Sequence, residues 1–253
     1  MVRSPPSPKP RKRNSKGSPI LGEPEVVDLL IAGGKVKRGS TLVPEQRDIL
    51  SEVGHIGAGR ASGELSRVVG SIVRVSQPKV AFFSMSDGLK DGIPPGETVL
   101  VFSHVQGDAR GEIMMLWDAG SALVLADVLQ KKQMGTTKSL AADEDQGCLV
   151  ANGGQLCERY LSAVGSLLDL KLDPSGFRLL AAGGKTLSNF LSVSVLAGKE
   201  NALYLRILTE FSTTYETQKN KTPLKGSLVL LLEMDSVVGM LKAVKEKLEH
   251  LVI

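Results

Sequence analysis

Apolar residues along this chain recur at two spacings, and the change between them divides it into elements. Between 44 and 70 they return every three or four positions. Ile49, Leu50, Val53, Ile56, Ala61, Leu65 and Val68 fall on one broad arc at about 100° per residue. Pro44 and Glu45 suit the first turn of that helix. A second long helical segment covers about 143–167, with Leu149, Val150, Cys157, Leu161 and Val164 on its apolar arc. β-rich runs follow each helix. "TVLVFSHV" (98–105) and "ALYLRILTEF" (202–211) read as strands, each forming a hairpin with its successor. The intervening loops are short at 106–110 and long at 212–225. "FLSVSVLAG" (190–198) before "KENALYLRIL" reads as an extra strand pair.

The two halves repeat. "GEIMMLWDAGSALVLADVL" (111–129) aligns without gaps to "GSLVLLLEMDSVVGMLKAV" (226–244). In each, Gly leads into an apolar strand, and an acid (Asp118, Glu233) with a Ser (Ser121, Ser236) opens a helix. Repeat one spans about 41–131 and repeat two about 141–250 within a domain at 41–253. A duplicated unit of roughly 100 residues predicts an α+β fold with pseudo-twofold symmetry. Its sheet should be mostly antiparallel, with two long paired helices on one face.

Residues 1–40 form an N-terminal extension. Within it, 1–20 hold Arg3, Lys9, Arg11, Lys12, Arg13 and Lys16 and no acid, among Pro and Ser, and should be disordered. The other 233 residues carry 25 basic and 27 acidic side chains, so the net charge of +4 belongs to the tail. A broad nucleic-acid footprint on the domain is not expected. The tail itself reads as a solubilising segment, with attraction to DNA or lipid as the sharper alternative. The apolar run from Val26 to Ile31 reads as a short helix ended by Gly33-Gly34, docked on the domain or tethering a partner.

No apolar run reaches the ~18 residues of a membrane span, and no signal segment opens the chain. Cys148 and Cys157 lie nine residues apart, on roughly opposite helix faces, so they cannot pair. No His/Cys cluster has zinc spacing. A reducing cytoplasm fits this usage. Oligomeric state is left open.

"ILSEVGHIGAGRASGELS" (49–66) contains a glycine pair that invites a nucleotide-loop reading. The spacing is Gly57-x-Gly59-x-x-x-Gly63, preceded by a helical pattern rather than a strand, which argues against it. On a helix, Asp48, Ser51, Glu52, His55, Gly59, Ser62 and Ser66 form a polar outer stripe. The plain alternative is an amphipathic helix whose outer face happens to be polar. Yet Gly54, Gly57, Gly59 and Gly63 each cost about 1 kcal/mol relative to Ala, and close approach of another backbone would explain some of them.

"Asp48-x-x-x-Glu52-x-x-His55-Ile-Gly-Ala-Gly" followed by Leu65-Ser66 resembles the D/S-x-x-x-E-x-x-N-x-G-x-G…LS helix of the CheC/CheX/FliY chemotaxis phosphatases. With the repeat, the resemblance is greatest to the two-repeat CheC form and covers about 41–250. No counterpart of FliY's C-terminal switch domain is evident. The resemblance implies hydrolysis of the phospho-aspartate of the response regulator CheY. It implies no cofactor in this chain, any Mg2+ being held by the regulator. Glu52 would pair with a regulator lysine, and the family's Asn, here His55, would hold the attacking water. Asp48, Gly59 and Ser62 would contact the partner.

A neutral imidazole can hydrogen-bond water as an amide does, with altered reach. The second helix departs further. Matching Leu161-Ser162 to Leu65-Ser66 puts Glu144, Cys148 and Ala151 at the positions of Asp48, Glu52 and His55. Shifting by one residue puts Asn152 opposite His55, with Leu149 in place of Glu52. Asn152 is thus a candidate catalytic residue or an edge-of-core residue. The alternative to a phosphatase is a non-catalytic CheC-like protein that docks the deamidase CheD or CheY. A third reading is a regulator-binding protein anchored by its basic tail.

Overall fold

The computed structural model describes residues 25–33, 35–37, 39–84, 96–191, 203–216 and 221–251. The expected disorder of 1–20 falls outside them, as does nearly all of the expected strand at 190–198. A two-residue strand β1 (Val26–Val27) pairs in parallel with β2 (Thr41–Leu42). Between them α1 (Leu29–Ala32) is capped by Asp28, whose carboxylate accepts from Leu30 and Ile31 N–H, and it stops at Gly33 in the left-handed region, φ 59°. The segment from Val26 to Gly33 therefore docks on the domain. Leu29 is fully buried, and Gln46 joins α1 to the domain by accepting from Leu29 N and donating to Asp28.

The first half continues with α2 (Pro44–Val69), β3 (Arg74–Val75), β4 (Lys79–Ser84), β5 (Glu97–Gly107), β6 (Gly111–Asp118) and α3 (Ala119–Leu129). The second repeats that order: α4 (Asp143–Leu168), β7 (Leu172–Pro174), β8 (Arg178–Gly183), a short α5 (Gly184–Phe190), β9 (Leu203–Glu216), β10 (Lys221–Glu233) and α6 (Met234–Leu251). Strands β3 to β10 form one sheet in the order β3-β9-β10-β6-β5-β7, with β4 also on β9 and β8 also on β5. Every pairing in it is antiparallel.

The symmetry is written in the register. β6 and β10 pair at the centre, with Met114 opposite Val229, equivalent positions of the repeat. The axis passes there. Two hydrogen bonds show the same exchange. Ser121 Oγ of α3 accepts from Lys225 N, and Ser236 Oγ of α6 accepts from Arg110 N, so each half's helix serine holds the strand entry of the other half.

Alternation along the strands builds two cores. One face, with Ile113, Met115, Trp117, Leu205 and Leu230, packs under the four longer helices of the domain. The other carries Leu100, Phe102, Met114, Leu116 and Leu231, and α5 contributes Leu187 there. Both faces being covered is why β6 reads as an unbroken apolar run rather than an alternating one. No helix among the described residues is long and apolar enough to cross a membrane.

Two expectations are corrected. Residues 212–225 are mostly not loop: β9 runs to Glu216 and β10 begins at Lys221, an extended two-stranded ribbon. The ribbon's side chains are polar and exposed on alternate positions, so hydropathy hid it. Phe190 ends a helix rather than beginning a strand.

Candidate functional site

The polar stripe stands on α2, and small residues set how closely that helix lies to its neighbours. A Cβ on Gly54 would come 2.6 Å from Ile207 Cγ2 and 3.2 Å from Pro78, and one on Gly57 would come 2.8 Å from the Tyr160 ring of α4. These two glycines are explained by close packing within the chain. Gly59 and Gly63 have nothing within 4 Å of such an atom; both face outward.

Asp48, Glu52, His55 and Gly59 are exposed and lie along one line of the helix. Glu52 and His55 form no hydrogen bond or ion pair with any described residue, so both side chains are free to meet an incoming group. Asp48 lies 3.8 Å from the Arg47 guanidinium. Below them the helix is anchored: Ser51 is buried, donates to the Pro78 carbonyl (3.4 Å) and accepts from Gln77 Nε2 (3.0 Å).

Ser62 does not belong to this surface. It is buried, and its hydroxyl donates back to the Gly59 carbonyl at 2.9 Å. Ser66 likewise donates to the Ser62 carbonyl (2.7 Å) and accepts from Val73 N (3.0 Å), which ties the helix end to the chain entering β3. Small hydroxylated residues that satisfy themselves on the preceding turn are indistinguishable in sequence from outward ones.

Asn152 is also placed elsewhere. α2 and α4 have equal length, and Pro44 answers Asp143 as Val69 answers Leu168, a spacing of 99 residues. At that spacing the buried positions of the two helices coincide: Gln46 with Asp145, Leu50 with Leu149, Gly54 with Gly153, Ala61 with Tyr160, Leu65 with Val164. The packing agrees, because a Cβ on Gly153 would meet Val101 of β5 at 2.9 Å, just as Gly54 meets Ile207 of β9. Each long helix thus lies over a strand of the other half. The register that matches Leu161-Ser162 to Leu65-Ser66, at a spacing of 96, and the one shifted from it by a residue are therefore both displaced. Gly147, Ala151, Gly154 and Glu158 stand at the positions of Asp48, Glu52, His55 and Gly59, and Asn152 stands at that of Val53. Asn152 is 4% exposed, with Oδ1 unpartnered among the described residues. A two-residue Leu-Ser match is a local coincidence, whereas the burial pattern agrees over the full length of both helices.

One polar group on the opposite sheet face has no counterpart in the sequence reading. Arg178 Nη2 lies 3.3 Å from His104 Nε2, and His104 Nδ1 lies 2.5 Å from Glu112 Oε1. Glu112 is 6% exposed, and burial pushes its carboxyl up to about 8. His104 and Glu112 sit directly opposite on a hairpin. The signal was a His and a Glu flanking a tight turn at matched distances, visible only once the register is known. Among the described residues, no group of three or more His, Cys, Asp or Glu is arranged to hold a metal ion.

No family model matches the sequence. Solved structures do match the fold. FliY of Thermotoga maritima shares 20% identity at a TM-score of 0.62, over 81% of this chain and 98% of that one. The FliM middle domain of H. pylori shares 13% at a TM-score of 0.54, over 79% and 99%. A chain of the FliG–FliM complex from H. pylori shares 12% at a TM-score of 0.53, over 78% and 98%. The duplicated α+β architecture, with two long helices crossing a shared antiparallel sheet, is the fold of FliY, as the resemblance to the CheC/CheX/FliY group implied.

Proposed function

We propose that this chain is a chemotaxis signalling protein that docks a phosphorylated CheY-type receiver domain on the outer face of α2 and hydrolyses its phospho-aspartate. The observation that carries this reading is the free, exposed Glu52–His55 pair, one turn from Gly59, on a helix whose inner glycines are already used for packing. A receiver's acyl phosphate is an already activated mixed anhydride, and the regulator holds the metal. The helix therefore needs only to align water for in-line attack and exclude bulk solvent. Glu52 engages a cationic group beside the phosphoryl. His55 accepts from or donates to the attacking water through a ring nitrogen. Gly59, without a side chain, lets the receiver come close. Structures that match this fold also include a chain of a FliG–FliM complex, which supports its use as a docking module.

The test is decay of a phosphorylated receiver, followed by phosphate release. Glu52→Ala should slow the accelerated decay about tenfold or more. His55→Asn should preserve or raise the rate, since it supplies the amide of the resembled motif. If neither substitution alters decay while receiver or CheD binding persists, the chain is a docking protein without hydrolytic activity.

A further inference from the structure

The pseudo-twofold gives α4 the place in one half that α2 has in the other, yet the two outer faces are unlike. On α4, Val150, Ala151, Gly154, Gln155, Glu158 and Phe177 line a shallow groove of about 450 Å³. Gly154 answers His55. A Cβ there would lie 2.7 Å from Cδ2 of the Phe177 ring, so the ring already occupies the direction in which His55 projects from α2. In the first half, the residue answering Phe177 is Pro78. The strand registers fix this, since Lys79 pairs with Leu208 as Arg178 pairs with Phe102. Pro78 turns under Gly54 instead and leaves His55 open.

We infer that Phe177 closes the second docking face, so that each chain engages one receiver domain, through α2 alone. This rests on the proposed function. Three features act together. Ala151 has no group to meet the receiver's cation where Glu52 does. Phe177 presents an apolar ring where a polar side chain would hold water. Glu158 replaces Gly59 and puts an exposed carboxylate in the path of an anionic phosphoryl, a repulsive contact.

Two experiments test it. Isothermal titration of the full chain with a magnesium-loaded, beryllofluoride-activated CheY-type receiver should give one receiver per chain. Glu52→Arg should abolish the heat, and exposed Ala151→Arg should leave Kd within about twofold. Two receivers per chain, or a loss of about tenfold from Ala151→Arg, would overturn the inference while leaving the proposed function standing. No binding by the unaltered chain would remove the proposed function and this inference with it. The second experiment concerns Phe177. Gly154→His should lower Tm in the unaltered chain and lower it less in a Phe177→Ala background, a coupling between the two sites. Equal Tm changes in both backgrounds would show that Phe177 does not close the face.

Discussion

Asn152 and Val53 occupy equivalent positions in two helices, one polar and one apolar, both inside. The Asn carries a buried oxygen with no described partner, which normally costs about 1–3 kcal/mol. Asn152→Val should therefore hold or raise Tm and leave phosphate release unchanged; lost activity with an unaltered melt would return Asn152 to the catalytic machinery. Glu112 is the other costly residue. Its carboxyl is raised to about 8 mainly by burial, a shift that Arg178 opposes and Glu233 reinforces. With Arg178 donating to His104 Nε2, the ring's Nδ1–H donates to Glu112 Oε1, and the buried Oε2 keeps the proton. An unfolded chain releases that proton near 4.5. Below that pH both states hold it and folding incurs no cost. As pH rises from 4.5 towards 8 the unfolded state is increasingly favoured, and the cost is complete above 8. Denaturant melts should show Glu112→Gln gaining about 3–5 kcal/mol on the unaltered chain between pH 5 and pH 9. A gap that does not change with pH would mean that Glu112 is ionised in the fold.

At the scale of elements, α2 contains glycines of two kinds. Gly54, and its counterpart Gly153 in α4, bring each helix down onto a strand of the other half. Ala at either position should cost about 1–3 kcal/mol through overpacking against Ile207 or Val101. Gly59 meets nothing, so Gly59→Ala should stabilise by about 0.5–1 kcal/mol through helix propensity alone. A bulkier Gly59→Leu should keep that stability and still weaken receiver binding about tenfold. Thermal melts beside binding titrations separate the two kinds; unchanged affinity for Gly59→Leu would place the partner elsewhere. The sequence showed that these glycines needed a reason. It could not assign the reasons, because Ile207, Tyr160 and Val101, the neighbours that crowd Gly54, Gly57 and Gly153, lie 153, 103 and 52 residues away along the chain.

For the whole molecule, the described fold begins at Glu25, and the basic residues of 1–20 lie outside it. Removing 1–20 should leave Tm within about 2 °C, since the described core uses none of those residues. It should also shift the net charge from +4 to about −2 and abolish any cation-exchange retention. A large fall in Tm would mean that the tail is part of the core.

The periodicity of the chain alone determined the long helices, the central strands, the repeat and hence the antiparallel duplicated sheet. Each of these is local, or a comparison of one local pattern with another. The pair Glu52 and His55 was legible for the same reason, as an outward stripe at helical spacing. Tertiary structure decided what depends on which elements meet: that Ser62 turns inward, that α4 lies 99 rather than 96 residues from α2, and that Asn152 is core. It also decided that Phe177 sits on Gly154 and that Glu112 is buried beside His104. Those outcomes follow from side chains brought together by the crossing of the two halves, and burial and steric contact between distant residues leave no mark on the spacing of either one.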